Sequence, residues 1–290
     1  MRIVVLGISG MLGSTAFRLL GGRPDLEVYG TARTGDVRAF FDESRGSRIR
    51  SGVDVENLDA LVALFRDIRP DVVINCVGVV KQLASAKDPL VAIPLNALLP
   101  HRLARLAGLV GARLVHISTD CVFSGRGGTY REGDPPDADD LYGRSKLLGE
   151  VEYPNAITLR TSIIGHELAS RNGLVDWFLG QSGTVRGFKQ AIFSGLTTDE
   201  LTRVIADRIL PHPELHGLYH VSVDPISKYD LLHHVRDAYR HPVEIEPDDA
   251  VVIDRSLNSD RFRAATGYVP PSWPQLIDTM RRTHPMAERS

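Results

Sequence analysis

The chain has 290 residues, of which 43% are hydrophobic and 24% charged, and its formal net charge is −2 at pH 7. This composition is typical of a globular protein. The near-neutral charge argues against nucleic-acid binding, which requires a basic face. The short apolar run after Arg2 does not resemble a signal peptide, and no stretch approaches the length of a membrane span. We therefore expect a cytoplasmic protein whose two cysteines, Cys76 and Cys121, are reduced thiols.

The opening segment "MRIVVLGISGMLGSTAF" places three glycines between a predicted strand and a predicted helix. The apolar residues 3–5 suit a strand buried on both faces, and apolar residues between 12 and 20 recur at helical spacing. Gly7, Gly10 and Gly13 therefore fall where backbone amides can approach a ligand closely. The free N–H groups and positive dipole of a helix N-terminus favour a phosphate there. The alternative is a tight turn without a ligand.

The rest of the first half alternates strand-like and helix-like segments, which indicates a parallel sheet wound with helices. Further strands are predicted at 27–32, 48–55, 71–78, 112–118 and 156–164. Helices are predicted at 56–68, in a stretch that contains Pro94 and Pro100 and is therefore expected to kink or break, and at 141–152. The buried face of the helix at 56–68 is expected to carry Leu58, Leu61, Val62, Phe65 and Ile68.

After about residue 165 the alternation loosens. We predict a helix at 196–210 capped by Thr197 or Thr198, a strand at 217–223, and a helix after Ser227. A short helix ended by Gly267 and a helix at 274–283 follow. The predicted fold is α/β: a Rossmann doubly wound parallel sheet over residues 1–160, to which 195–223 returns, with a smaller C-terminal α/β substrate lobe over 161–290. A ligand cleft should lie between them, at the carboxyl ends of the strands.

The segment "YGRSK" places Tyr142 and Lys146 four residues apart, on one face of a predicted helix. A lysine ammonium close to a phenol favours the phenolate and lowers the tyrosine pKa, which suits a proton donor or acceptor near neutral pH. The alternative is a surface helix with an aromatic anchor and a solvated lysine.

The segments "GISGMLG", "NCVG", "STDCVF" and "YGRSK" together resemble the extended short-chain dehydrogenase/reductase superfamily. Among its branches the chain most resembles the dTDP-4-dehydrorhamnose reductase-like one, whose members act on nucleotide sugars. The segments "FSGLTTDEL", "GLYHVS" and "DRFRAATGY" extend the similarity over nearly the whole chain. The resemblance implies an NADPH-dependent reductase of a 4-keto-6-deoxy nucleotide sugar in deoxysugar or polysaccharide biosynthesis, with NADH possible and a homodimer as the family's habit.

The resemblance also implies a catalytic triad. Thr119 would donate a hydrogen bond to the substrate carbonyl, and Tyr142 would protonate that oxygen as hydride arrives from the nicotinamide. Lys146 would bind the nicotinamide ribose and hold the pKa of Tyr142 down. Asn96 occupies the place of an asparagine that supports a proton relay in many relatives, and a buried amide that holds the helix kink is the alternative.

For the cofactor, the residue after the second strand is informative. An acidic residue there binds the ribose of NAD, whereas an arginine accommodates the 2′-phosphate of NADP. Arg33 therefore favours NADPH, and a solvated loop arginine is the alternative. Asp54 and Val55 resemble the pair that flanks the adenine in relatives, and Val77 and Gly78 would lie against the cofactor. The full predicted cofactor set is Gly7, Gly10, Met11, Leu12, Gly13, Arg33, Asp54, Val55, Val77, Gly78 and Lys146.

Departures from the family pattern bear on the substrate. Relatives that make dTDP-rhamnose carry a tryptophan and a tyrosine where this chain has Ile163 and Cys121, so we expect a different substrate. Dehydratases carry an Asp-Glu pair after the active-site hydroxyl, and here Asp120 precedes Cys121. Cationic groups should bind the substrate pyrophosphate unless they are ordinary surface charges. The candidate substrate residues are Lys81, Asp120, Ile163, Arg186, Lys189 and Arg261.

Two other functions remain open from the sequence: a nucleotide-sugar epimerase with bound NAD, and a non-catalytic NADP-binding regulatory subunit. No metal site is predicted. His212, His216 and His220 are spaced four apart, but Pro213 and Gly217 interrupt any helix that would align them. The acidic segment 132–140 is expected to be a solvated loop or a flap over the substrate.

Overall fold

The computed structural model describes residues 1–81 and 84–284. Its strands are β1 Arg2–Leu6, β2 Glu27–Ala32, β3 Ile49–Ser51, β4 Val72–Asn75, β5 Arg113–Thr119, β6 Ala156–Thr161, β7 Ile163–Ile164, β8 Thr184–Phe188, β9 Ala191–Phe193, β10 Leu196–Thr197, β11 Gly217–His220, β12 Ile226–Ser227, β13 Glu244–Asp248 and β14 Ile253–Asp254.

The helices are α1 Met11–Leu20, α2 Glu43–Gly46, α3 Leu58–Ile68, α4 Pro89–Ala92, α5 Leu99–Leu109, α6 Leu141–Leu148, α7 Leu174–Leu179, α8 Thr198–Val204, α9 Lys228–Tyr239, α10 Asp260–Thr266 and α11 Trp273–Thr283. Short 3₁₀ turns span Asp36–Phe40, Ala84–Lys87 and Asp120–Val122, and π-helical segments span Ile93–Leu98 and Ile205–Ile209. No helix in the described parts of the chain is long and apolar enough to cross a membrane.

Seven parallel strands form the main sheet in the order β11-β6-β5-β4-β1-β2-β3. The strand order reverses between β1 and β4, and ligands of open α/β sheets bind in the crevice outside the carboxyl ends of the strands at such a point. β11 lies beside β6, so residues 217–220 return to this sheet. Three small sheets, β7-β10, β8-β13 and β12-β9-β14, come from residues 163–254.

Alternate residues of β1 lie in two different hydrophobic cores, one on each face of the main sheet. Ile3 and Val5 of β1 belong to the core that α1, α8, α9 and α11 cover, whereas Val4 and Leu6 belong to the core under α3 and α5. This period-two alternation is the consequence of strand geometry. Because both faces of β1 are buried, its sequence is apolar throughout.

The helix predicted at 56–68 forms as α3, with Asn57 as its N-cap. The prediction that Leu58 and Val62 are buried is wrong. Leu58 and Val62 are half-exposed, and Leu64 is buried instead. The buried positions 61, 64, 65 and 68 follow the i, i+3, i+4, i+7 spacing of an amphipathic helix. Leu58 and Val62 lie off that stripe.

Several other boundaries differ from the prediction. The strand predicted at 48–55 is only three residues long, as the edge strand β3. The strand predicted at 156–164 divides after Thr161, and β7 pairs with β10 outside the main sheet. The helix predicted to reach 152 ends at Leu148, where Gly149 packs so closely on the Asn96 carbonyl that a Cβ would overlap it.

The predicted break at the two prolines does not occur: the helical stretch continues from α4 to α5, with Pro94 in the π-helical segment between them and Pro100 in the first turn of α5. Other local predictions are confirmed. Thr197 caps α8 by accepting the Glu200 N–H at 3.3 Å, and Ser227 caps α9. Gly267 ends α10 in the left-handed region, with φ of 65°.

Candidate active site

The glycine turn, residues 7–13, links β1 to α1. Gly7 has φ of 82°, a conformation that favours glycine. A Cβ on Gly13 would overlap the Gly7 carbonyl oxygen, so this glycine lets the helix pack against the turn. Gly10 is the N-cap and has no side chain to satisfy the first N–H groups of α1. These backbone amides and the exposed Gly10 surface fit the pyrophosphate of a dinucleotide.

The loop after β4 packs against this turn. A Cβ on Gly7 would lie 2.9 Å from Cγ2 of Val77. The Val77 N–H donates to Oδ1 of Asn75 at 3.1 Å. At Gly78 a Cβ would lie 3.2 Å from Oδ1 of Asn96 and 3.9 Å from Nζ of Lys146. The predicted cofactor residues Gly7, Val77, Gly78 and Lys146 therefore form one continuous surface.

Three other predicted cofactor residues follow neighbouring strands. Arg33 comes directly after β2 and is exposed, and its guanidinium makes no hydrogen bond or ion pair within the described chain. Asp54 is exposed after β3, where its carboxylate accepts the Glu56 N–H at 3.0 Å, while Val55 is buried in the core. Because parallel strands end at the same edge, these residues share that edge with the glycine turn.

The predicted triad meets at the carboxyl end of β5. The Thr119 hydroxyl accepts the Cys121 N–H at 3.1 Å and donates to Oδ1 of Asp120 at 3.2 Å. Lys146 is almost fully buried, and its ammonium donates to the Ile117 carbonyl at 2.6 Å. Tyr142 lies one turn earlier on α6, close enough for the Thr119 hydroxyl to lower the pKa of its phenol.

The protonation of these groups follows from burial. Burial raises the pKa of the Tyr142 phenol above its usual value, and the Thr119 hydroxyl opposes that rise. Burial lowers the pKa of Lys146 to about 8, and the Glu150 carboxylate opposes that fall. The expectation that Lys146 holds the Tyr142 pKa down therefore stays a prediction for the site with its cofactor bound. Its ammonium is bound to the Ile117 carbonyl, and the phenol is dominated by desolvation.

Asn96 lies in the π-helical segment and is fully buried. Its Oδ1 accepts the Val79 N–H at 2.9 Å, and its Nδ2 donates to the Ser145 hydroxyl at 3.1 Å. Asn96 thus ties α6 to the loop after β4. These bonds match the interpretation of a buried amide that holds the elements around the kink.

Two cations near the triad were missed by the sequence analysis. Lys228 begins α9 with its ammonium 4.4 Å from the centroid of the Phe193 ring, and Arg255 donates from Nε to the Phe123 carbonyl at 2.8 Å. Burial raises the pKa of the Asp120 carboxyl, and the charges of Arg255 and Lys228 oppose that rise. We call Lys228 and Arg255 the cationic pair. Their charge was visible in the sequence, but no motif links either residue to Asp120.

Lys81 is also close to the triad's helix. Its ammonium lies 2.6 Å from Oδ2 of Asp140, while Oδ1 of Asp140 caps α6 by accepting the Gly143 N–H at 2.7 Å. Lys81 therefore stands at the beginning of α6, near Tyr142. Ile163 is half-buried in β7 and packs against the larger core.

The remaining predicted substrate cations have other partners. The exposed Arg186 and Lys189 lie 3.6 and 3.8 Å from the carboxylates of Asp248 and Asp249, respectively. Arg261 lies over the Tyr219 ring at 4.7 Å. None of these contacts involves the triad. This agrees with the alternative that the three residues are ordinary surface charges. Within the described residues, no group of three or more His, Cys, Asp or Glu side chains could hold a metal ion.

Residues 1–280 match the family model of the RmlD substrate binding domain. The chain belongs to that family. The predicted Rossmann fold and the predicted dTDP-4-dehydrorhamnose reductase-like branch are thereby confirmed.

The proteins that this chain is similar to differ in what their names say they do. The chain is 28% identical over 255 residues to the methionine adenosyltransferase 2 subunit beta of Danio rerio, covering 83% of this chain and 75% of that protein. It is 29% identical over 324 residues to a probable dTDP-4,6-dihydroxy-2-methyloxan-3-one 4-ketoreductase of Streptomyces antibioticus, covering 100% and 99%. The fold matches the crystal structure of dTDP-4-dehydrorhamnose reductase from Bacillus anthracis in complex with NADP, with a TM-score of 0.79, 24% identity, and coverage of 98% and 99%.

Proposed function

We propose that this RmlD-family chain is an NADPH-dependent reductase that converts the 4-keto group of a 4-keto-6-deoxy nucleotide sugar to a hydroxyl. The observation that carries the proposal is the meeting of Thr119, Tyr142 and Lys146 at the end of β5, on a surface continuous with the glycine turn through Gly78. NADH is the alternative cofactor.

The residues around the turn fit a dinucleotide. The first N–H groups of α1, at Met11 and Leu12, would take the pyrophosphate, and Arg33 would take the 2′-phosphate that distinguishes NADPH from NADH. Lys146 would donate to the nicotinamide ribose. When bound, NADPH supplies the hydride that adds to the carbonyl carbon of the substrate.

The side chains of the site supply the proton. The Thr119 hydroxyl donates a hydrogen bond to the substrate carbonyl oxygen, which draws electron density toward that oxygen. As the carbon–oxygen π pair moves to the oxygen, the Tyr142 hydroxyl transfers its proton there and becomes a phenolate. Because burial raises the Tyr142 pKa, the phenol is protonated at neutral pH and suits the role of acid. The Lys146 ammonium stabilises the resulting phenolate.

The cationic pair supports an anionic substrate. Lys228 and Arg255 belong to two segments that are remote in sequence, and their charges act on Asp120, which is next to Thr119. A pyrophosphate bound in this positive field would find charge-assisted partners close to the reacting carbonyl. This placement favours a nucleotide sugar over a neutral ketone.

The test is a cofactor-oxidation assay with NADPH and 4-keto-6-deoxy sugars carried on dTDP, UDP or GDP. We expect oxidation of NADPH with at least one of these sugars.

Changing Tyr142→Phe should lower kcat by about 100-fold or more, because it removes the acid. NADPH binding, measured by calorimetry, should persist. Tyr153→Phe is the matched control, since that phenol bonds His101 away from the triad. Unchanged turnover in Tyr142→Phe would contradict the proposal.

A non-catalytic regulatory subunit that binds NADP is the second candidate, favoured by the match to the methionine adenosyltransferase 2 subunit beta. The same assay separates the two functions, since tight NADPH binding without oxidation of any sugar favours the subunit. An epimerase would instead purify with bound NAD. The homodimer is a further proposal, which sedimentation of the purified chain tests.

A further inference from the structure

A buried ion pair lies directly behind the triad. Glu150 follows Lys146 by about one helical turn, and Arg160 is on β6; their side chains are 8% and 2% exposed. Arg160 donates from Nε to Oε1 of Glu150 at 2.9 Å and from one terminal nitrogen to Oε2 at 2.5 Å. Ser118 donates its hydroxyl to Oε1 at 2.7 Å. Ser118 stands between Ile117, which binds the Lys146 ammonium, and Thr119. Through Ser118, the ion pair is therefore hydrogen-bonded to the end of β5, which also holds Thr119 and the carbonyl that binds Lys146.

The other partners of Arg160 bring no further charge. Its guanidinium donates to Nε2 of His220 at 2.9 Å, and Nδ1 of His220 donates to the Tyr130 carbonyl at 3.0 Å. This arrangement requires the neutral imidazole, and burial lowers the His220 pKa to about 4. The guanidinium also lies 5.0 Å from the centroid of the Phe123 ring. Glu150 thus pairs directly with Arg160, and its charge also favours the ammonium of Lys146, which lies four residues earlier and binds the Ile117 carbonyl beside Ser118.

The titratable groups that face Lys146 come from three elements. Tyr142 and Glu150 belong to α6 and the residues that follow it, Cys76 follows β4, and His116 is on β5. Burial raises the pKa of Cys76 to about 12, raises that of Tyr142, and lowers that of His116, so all three are neutral at pH 7. Among these described neighbours, Glu150 alone carries negative charge toward the ammonium.

We propose that Glu150 is a positioning residue whose charge keeps Lys146 protonated and bound to the Ile117 carbonyl, and that Arg160 and Ser118 hold Glu150 in place for this task. The proposal rests on the proposed function, since a protonated Lys146 is what the ribose and the Tyr142 phenolate require. A buried ammonium without a facing carboxylate loses its proton more readily. With Glu150 present, burial already lowers the Lys146 pKa to about 8.

Two substitutions separate charge from shape. Glu150→Gln keeps the size and the acceptor oxygen but removes the charge, whereas Glu150→Asp keeps the charge and shortens the side chain. The direct measurement is the pH titration of the Lys146 side chain by ¹³C NMR in lysine-labelled protein, with Lys146→Arg used to assign its signal. The chain has only five lysines, so the spectrum is simple. No substrate or cofactor is needed.

We expect Glu150→Gln to lower the titration midpoint of Lys146 by about one pH unit or more. Glu150→Asp should keep the midpoint within roughly half a unit of the parent protein. The matched control is Glu200→Gln, which alters a buried carboxylate on α8 that bonds Tyr268. That control should leave the Lys146 midpoint unchanged. Equal midpoints in Glu150→Gln and the parent protein, or equal shifts in the Gln and Asp variants, would overturn the proposal.

Removing one member of a buried ion pair strongly destabilises a fold. If Glu150→Gln does not fold, the double variant E150Q/R160Q carries the test, because it leaves no lone buried guanidinium. Its Lys146 midpoint should again lie below that of the parent protein, by a smaller margin.

In the reductase assay, the alkaline limb of the kcat/KM profile should move to lower pH together with the NMR midpoint. A shifted midpoint in a chain that reduces no sugar would contradict the proposed function and leave the role of Glu150 supported.

Discussion

The glycine turn and the cationic pair flank the same triad, yet they are built in opposite ways. The turn is seven consecutive residues whose backbone conformation and close packing require glycine at particular positions. The cationic pair consists of two side chains from separate C-terminal segments, whose charges the fold brings to act on Asp120. A backbone requirement restricts the residue type and so leaves a pattern in the sequence. A requirement for positive charge can be met by a lysine or arginine from many places in the chain, so it leaves no recognisable pattern in the sequence.

The largest effect should come from the turn. Gly13→Ala places a Cβ on the Gly7 carbonyl oxygen, and two backbone segments must separate to admit it. We expect a loss of about 3 kcal/mol in the free energy of unfolding, measured by urea denaturation. The control is Gly46→Ala, where a Cβ meets no atom within 4 Å. If Gly13→Ala is as stable as that control, the packing account of the turn fails.

The same turn also separates folding from ligand binding. A Cβ on Gly10 would lie 3.5 Å from the Gly7 carbonyl oxygen, which is ordinary contact, so Gly10→Ala should keep its stability. Its methyl group would stand where the proposed pyrophosphate lies. NADPH affinity should therefore fall while stability holds.

For the cationic pair we expect an effect on the substrate rather than on the fold. Arg255→Gln removes a charge-assisted partner of the proposed pyrophosphate, so KM for the nucleotide sugar should rise about 10- to 100-fold. KM for NADPH should change little. The matched control is Arg263→Gln, whose guanidinium bonds Ser259 and the Ser222 carbonyl instead. An equal rise in both variants would mean that Arg255 acts through general charge and not by contact.

A smaller effect concerns the choice between NADPH and NADH. Arg33→Asp should raise KM for NADPH about 10-fold and affect NADH less, because the 2′-phosphate loses its cation and gains a like charge. Arg66→Asp on the outer surface of α3 is the control for net charge. Equal losses with both cofactors would remove Arg33 from the proposed phosphate site.

The main secondary-structure elements were predictable, and the errors have physical causes. The glycine turn, the caps at Thr197 and Ser227, and the end of α10 at Gly267 follow from local backbone chemistry. Strand lengths do not, because pairing partners decide where a strand ends. Thus β6 stops at Thr161, although the apolar run continues to Ile164 in a different sheet. Val62 was assigned to the core, although only the packing of α3 on the sheet selects which apolar stripe is buried.

The sequence by itself determined the strand–turn–helix at residues 7–13 and the placement of Tyr142 one turn before Lys146. Both depend on backbone conformation and helical spacing among neighbours in the chain. Only the tertiary structure decided the electrostatics of the site: the raised pKa of Tyr142, the buried Glu150–Arg160 pair behind Lys146, and the action of the Lys228 and Arg255 charges on Asp120. The physical reason is that charge interactions and desolvation depend on burial and on distances in space, which the fold sets between residues far apart in sequence.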